Sequence, residues 1–287
     1  MSPQAVDLQP VQVVKRTIRS IRDGWYERPH PWYRPREIVR GRWSSAAVTH
    51  ALRTQGICIL ERVIEESSLA RYQEALERAL TEAPQRPPGP HDVPRATSRR
   101  IDSAQDPVLA ALLLDDLVLA GIEGYYGKPI ALALAQAQRL EPIASYEGKA
   151  FQWHHDTKGK YVKAMWLLTD VPSTGQRMSY VVGSHAMRHR WSSYEDTRFP
   201  DEQARRLGPV VECAGPAGTV IVFDTNGIHR GNRNLGPRRD TVVGVYTAGR
   251  YLEGCSFDLS RLSALQGWQQ DIVRRSRIAQ RRSPSAE

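Results

Sequence analysis

Cysteine is scarce in this sequence: Cys58, Cys213 and Cys255 stand far apart and without C-x-x-C spacing. Such an odd, scattered set supplies neither a disulfide framework nor a thiolate zinc site, and the three read as small buried hydrophobes. Long apolar runs are missing too. No stretch reaches the roughly 18 apolar residues of a membrane helix, so no membrane span is expected. The N-terminal residues show neither an apolar h-region nor a cleavage-site pattern, which sets the expectation of a cytoplasmic protein. Internal repeats are absent, and low-complexity sequence is confined to the last few polar residues, which excludes solenoids and arrays. Lysine is rare beside arginine while alanine is abundant, a balance resembling that of proteins from GC-rich bacterial genomes.

What the 287 residues do contain is 40% hydrophobic side chains, enough for one sizeable core, and a formal charge of +9. The charge is unevenly placed. Residues 1–43 carry nine Lys/Arg against four Asp/Glu and residues 257–287 carry six against three, leaving only +1 for the middle. A basic excess confined to the ends is compatible with a nucleic-acid or anionic-surface partner, but solvated helix faces are its ordinary explanation, and a nucleic-acid partner is not the leading expectation.

One domain over 1–287 is expected, in four parts: an N-terminal helical extension (1–45), helical support (46–128), a barrel core (129–250) and a C-terminal helix (257–283). Val11, Val14, Ile18, Ile21 and Trp25 recur at helical spacing, with Lys15, Arg19 and Arg22 on another face. An irregular connection follows over 27–35. Gly56-Ile57-Cys58-Ile59-Leu60 reads as a short strand, after which Ser67 or Ser68 caps a helix carrying Leu69, Tyr72, Leu76 and Leu80. Five prolines within 84–94 demand a loop, a candidate lid. Asp106-Pro107 opens a helix expected to run through Tyr125-Tyr126 until Gly127-Lys128-Pro129 stops it. Beyond Pro129 the texture changes to short apolar or alternating segments, 130–140, 150–154, 161–169, 178–182, 209–213, 219–224 and 241–247, separated by turn residues. That pattern predicts a mainly β fold with flanking helices, an antiparallel jelly roll or barrel.

The chemistry concentrates in Trp153-His154-His155-Asp156, answered downstream by the apolar run Thr219-Val220-Ile221-Val222-Phe223 and then His229. Residues i and i+2 of an extended strand point the same way, so His154 and Asp156 can grip one metal while His155 faces away. With His229 they form the two-histidine, one-carboxylate set of mononuclear non-haem iron oxygenases, which leaves the opposite face of the metal open. A lone H-x-D is weak evidence, and the context supplies the strength. Arg239, ten residues beyond His229, enters the next strand where it can clamp a dicarboxylate through a bidentate, charge-assisted pair. In alternation Thr241 shares its face and Arg238 points away, although a one-residue bulge would exchange the two arginines. Gln136 and Gln138 share one face of the strand before the metal motif and can reach a cofactor or substrate. Lys158, Lys160, Lys163 and Trp166 can meet an anionic substrate at the barrel mouth, with surface charge as the ordinary reading of the lysines. His185 reads as a loop brace.

These residues resemble the phytanoyl-CoA dioxygenase family of Fe(II)/2-oxoglutarate oxygenases, including its ectoine-hydroxylase-like branch. The resemblance rests on Gly148-Lys149-Ala150-Phe151-Gln152-Trp153-His154-His155-Asp156, Gly183-Ser184-His185, His229, Asn234 and Arg239, and covers roughly 46–250. It implies a double-stranded β-helix, a cupin-like barrel, in which His154, Asp156 and His229 hold Fe(II). It further implies 2-oxoglutarate as co-substrate, its far carboxylate on Arg239, and O₂ at the remaining position. Decarboxylation to succinate would then drive hydroxylation of an unactivated C–H of a small molecule, in bacterial secondary metabolism. Related halogenases carry Gly or Ala where this chain has Asp156, so the resemblance implies oxidation without halide transfer. Two other readings use the same residues: a nucleic-acid demethylase, which predicts salt-dependent binding to DNA or RNA, and a non-catalytic metal-binding barrel. Substrate identity, the choice among hydroxylation, desaturation and cyclisation, and oligomeric state are not legible.

Overall fold

A computed structural model of the chain describes residues 32–82, 98–143, 151–156, 161–187, 198–232, 234–248, 255, 257 and 265–280. The expected helix over 11–25, most of the 27–35 connection, the proline-rich loop and Lys158 and Lys160 lie outside the described residues. In chain order the strands are β1 (Val39–Arg40), β2 (Trp43–Ser44), β3 (Ile57–Leu60), β4 (Ser98–Ile101), β5 (Ala131–Leu140), β6 (Trp153–His154), β7 (Val162–Leu167), β8 (Met178–Val181), β9 (Arg198–Phe199), β10 (Val210–Cys213), β11 (Val220–Asp224), β12 (His229–Gly231) and β13 (Arg239–Thr247). The helices are α1 (Ser45–Thr54), α2 (Glu66–Glu82), α3 (Pro107–Leu113), α4 (Asp116–Tyr126), α5 (Asp201–Arg206) and α6 (Gly267–Gln280). None of them is long and apolar enough to cross a membrane.

Alternation along the strands sorts side chains into two layers. In β7 the residues Ala164 and Trp166 face one way and Met165 and Leu167 the other. The first pair joins Val220, Val222, Val242 and Tyr246 of the neighbouring strands against Leu76, Leu80, Leu109, Leu113 and Leu117 of the helices. The second pair, with Ile57, Ile221 and Phe223, packs across the sandwich on Met178, Tyr180 and Cys213. The large sheet runs β3-β11-β7-β13-β5-β4 and the small one β10-β8-β12-β6-β9, and the paired strands are antiparallel. The two sheets remain separate ladders. The fold is thus a mainly β, jelly-roll sandwich of the cupin-like type with flanking helices, open at its rim where a fully closed barrel would have no edge. A register shift in β5/β13 at Val245/Tyr246 bends the large sheet near that rim.

Three helix boundaries differ from expectation. The helix over 106–126 is two helices: Asp106 caps α3 by accepting from the backbone N–H of Val108 at 2.8 Å and of Leu109 at 3.0 Å, and Asp115 starts α4 afresh by accepting from Val118 N–H at 3.0 Å. Gly127, with φ of 66°, ends α4 as a left-handed cap. Helix α2 begins at Glu66, ahead of Ser67 and Ser68, because the Glu65 carbonyl already accepts from Ser68 and Leu69. The C-terminal helix begins late, at Gly267, where the Gln269 side chain reaches back to the Gln266 N–H at 2.9 Å.

Helix α2 is tied to the sheet by charge. Arg139 of β5 donates to both oxygens of Asp240 on β13, at 2.9 and 2.8 Å, and to both oxygens of Glu77, at 3.0 and 2.6 Å. Arg139 and Asp240 are 7% and 4% exposed, and removing Arg139 leaves the Asp240 carboxylate buried with Arg238, itself 48% exposed, 3.6 Å away as its nearest cation among the described residues. Arg139→Met is therefore expected to lower stability by about 3–5 kcal/mol, read from urea unfolding. A loss under about 1 kcal/mol, the range of exposed pairs, would show that the pair carries no such burden.

Candidate metal centre

β-Sheet register brings the two histidines together. His229 of β12 is the direct cross-strand partner of His154 on β6, their ring centroids lying 4.4 Å apart. Asp156 lies two residues beyond the end of β6, and its backbone N–H donates to the Thr225 carbonyl at 2.9 Å. The turn after β11 therefore anchors one ligand-bearing segment and delivers the other. One donor atom from each of His154, Asp156 and His229 lies within 4.8 Å of the others. Bonds of about 2.0–2.2 Å to one ion are then within reach of side-chain rotation. Among the described residues no other group of three such side chains comes together in this way.

The donors are also in the right chemical state. His154 Nδ1 lies 2.8 Å from the Gln152 carbonyl and His229 Nδ1 2.8 Å from the Gly227 carbonyl. A carbonyl only accepts, so each Nδ1 carries the proton and each Nε2 lone pair is bare. Burial, with each other's proximity acting on His154, lowers His154 to about 3, and burial lowers His229 to about 4. Burial works to raise the Asp156 carboxyl, but the Lys163 ammonium at 2.8 Å holds it well below the usual carboxylate range. Two neutral imidazoles and one carboxylate suit a divalent cation.

The same burial has a consequence for folding. An unfolded chain takes up protons at its histidines near pH 6.5, whereas folded His154 and His229 stay neutral until about pH 3–4. Burial lowers His155 as well. The stability they contribute is complete above about pH 6.5 and is lost as the pH falls toward their folded values. Urea midpoints of the metal-free protein are expected to fall from pH 7 to pH 5. A flat profile over that window would contradict the burial of these imidazoles.

Neighbouring residues fix the ligand positions. His155 faces away from the triad, 3% exposed, its ring 6.1 Å from that of Phe199. A Cβ at Gly227 would stand 1.8 Å from the Tyr180 hydroxyl, which donates to the Asp224 carbonyl at 3.1 Å, so only glycine fits the turn before His229. Ser184, in the Gly-Ser-His turn, accepts from Ile228 N–H at 2.7 Å and donates to the Val181 carbonyl at 2.6 Å. It braces the residue before His229, a role that the sequence did not reveal. His185 lies 3.3 Å from the Arg53 carbonyl, and Asn234 accepts from Gly236 N–H at 2.9 Å, each holding a loop.

On β13, Arg239 and Thr241 point into the sandwich and are 8% and 1% exposed, whereas the Arg238 side chain is 48% exposed and near Glu77 and Asp240. Arg239 donates to the Gln176 carbonyl at 2.5 Å. The Thr241 hydroxyl and Gln176 Oε1 are buried with no hydrogen-bond partner among the described residues. A buried orphan hydroxyl costs about 1–3 kcal/mol, and an oxygen-rich ligand beside Arg239 would satisfy it. Gln138 and Gln136 lie opposite Thr241 and Val243 in the register, half-buried on the same face. Trp166 is not at the rim: it is fully buried on the helix-facing side of β7. Lys163 differs from its surface reading too, since alternation turns it inward to Asp156.

Residues 52–240 match the phytanoyl-CoA dioxygenase (PhyH) family. The chain belongs to that family. It is accordingly an iron(II)- and 2-oxoglutarate-dependent oxygenase, and the His-Asp-His group fits iron. The ectoine dioxygenase of Sphingopyxis alaskensis is 27% identical over 256 residues, spanning 75% of this chain and 82% of that relative. Among solved structures, the epimerase SnoN with Fe3+, alpha ketoglutarate and nogalamycin RO superposes with a TM-score of 0.58 at 20% identity, covering 71% of this chain and 83% of SnoN. HygX from Streptomyces hygroscopicus, with nickel, 2-oxoglutarate and hygromycin B, gives a TM-score of 0.52 at 20% identity over 74% of this chain and 90% of HygX. Both share the fold.

Proposed function

We propose that His154, Asp156 and His229 hold iron(II), that Arg239 and Thr241 hold 2-oxoglutarate, and that the enzyme hydroxylates an unactivated C–H of a small molecule. The observation that carries this reading is the convergence, inside one sandwich, of three metal donors in their ligating protonation states with a buried arginine and an unpartnered hydroxyl. Bound together, iron and 2-oxoglutarate supply oxidising power through decarboxylation to succinate.

The chain supplies the arrangement. The Arg239 guanidinium offers a planar fork to a carboxylate, and Thr241 adds a hydroxyl donor two residues on, on the same face. Gln138 and Gln136 extend that polar surface along β5. Leu134, 38% exposed, and Met165 border it with apolar atoms, as expected of a substrate wall that positions carbon and excludes water. Retention of Asp156 favours hydroxylation over halide transfer.

A small-molecule substrate is supported by the relatives, whose names carry ectoine, nogalamycin RO and hygromycin B, and natural-product metabolism is the setting that such names suggest. In sequence the chain's basic excess lies at its ends, outside the segment 134–241 that carries these residues. Incubation with Fe(II), O₂ and 2-oxoglutarate is expected to give succinate, more of it when the right small molecule is present. Absence of succinate above the level of a His229→Ala control, despite bound metal, would leave only a metal-binding sandwich.

A further inference from the structure

Lys163 stands inside the sandwich where the ligand set by itself does not require a cation. Its Nζ donates to Asp156 Oδ2 at 2.8 Å, while the other carboxylate oxygen, Oδ1, is the one 3.9 Å from His154 Nε2. Oδ2 is thus occupied by Lys163, and Oδ1 is the oxygen turned toward His154. Lys163 is central in the large sheet, in register with Phe223 of β11 and Val245 of β13. Its backbone is therefore fixed by strands on both sides, and its ammonium reaches the carboxylate from the sheet floor.

A carboxylate beside a divalent ion can bind through one oxygen or chelate through both. Chelation would consume a position that 2-oxoglutarate and O₂ need. We propose that Lys163 is a positioning residue which, by occupying Oδ2, keeps Asp156 a one-oxygen ligand and the adjoining position open. The proposal rests on the reading of His154, Asp156 and His229 as metal ligands. Lys163 is held by its pair with Asp156, and its ammonium would repel a dication seated beside that carboxylate.

Co(II) serves as the probe, since its visible absorption reports coordination number and its affinity can be titrated on the full chain without turnover. Lys163→Met is expected to bind Co(II) at least as tightly as wild type, because the freed Oδ2 can chelate and a repelling ammonium is gone, with an altered absorption band that Lys163→Arg returns to that of wild type. Lys163→Ala, which makes no steric demand, is expected to behave like Lys163→Met and reads the same effect should the longer side chain disturb folding. A band unchanged from wild type in Lys163→Met or Lys163→Ala, or binding weaker than wild type, would overturn the proposal. Asp156→Ala separates the two claims: if it matches wild type in both affinity and band, the ligand reading itself fails and this proposal with it.

Discussion

Asp156→Gly is expected to abolish coupled turnover, leaving under about 1% of the wild-type succinate and weakening metal binding by more than the roughly 10- to 100-fold typical of supporting residues. The argument is one of donors and charge. His154 and His229 are neutral, so Asp156 supplies the only anion of the set, and its removal leaves the Lys163 ammonium facing the metal uncompensated. Chloride or water can fill the vacated place but cannot be held there by a strand. The variant leaves the Asp156 backbone N–H free to donate to Thr225 as before, so the loss is expected without loss of fold. Full activity in Asp156→Gly would remove this residue from the ligand set.

Arg239→Met is expected to raise the KM for 2-oxoglutarate, with a cost of about 2–5 kcal/mol for truncating a buried charged pair, or roughly 30- to 5,000-fold. Arg239→Lys is expected to recover part of this, because an ammonium keeps the charge and loses the fork. Arg238→Met is the internal control. Its side chain is half exposed and lies near Glu77 and Asp240 on the helix-facing side, so KM is expected to stay within about twofold, as for surface pairs. A larger effect at Arg238 than at Arg239 would reverse the assignment.

Much of this arrangement was legible because it depends on local periodicity. The two-residue alternation puts His154 and Asp156 on one face, and the same rule turns Arg239 and Thr241 inward. What stayed hidden depends on contacts between distant segments. Lys163 reads as surface charge until β7 is placed between β11 and β13, although the alternation Lys163, Met165, Leu167 held the signal. Ser184 braces Ile228 across 44 positions, a pairing that no spacing rule predicts. The division of the 106–126 helix turned on Asp115 acting as a second cap, a choice decided by packing of α3 and α4 on the sheet.

The most direct measurement is a crystal structure of the protein grown with Fe(II) and 2-oxoglutarate under anaerobic conditions, with anomalous diffraction at the iron edge. One anomalous peak is expected, bonded to His154 Nε2, His229 Nε2 and one oxygen of Asp156, with the far carboxylate of 2-oxoglutarate on Arg239. Iron seated elsewhere, or bonded without any one of those three side chains, would contradict the account.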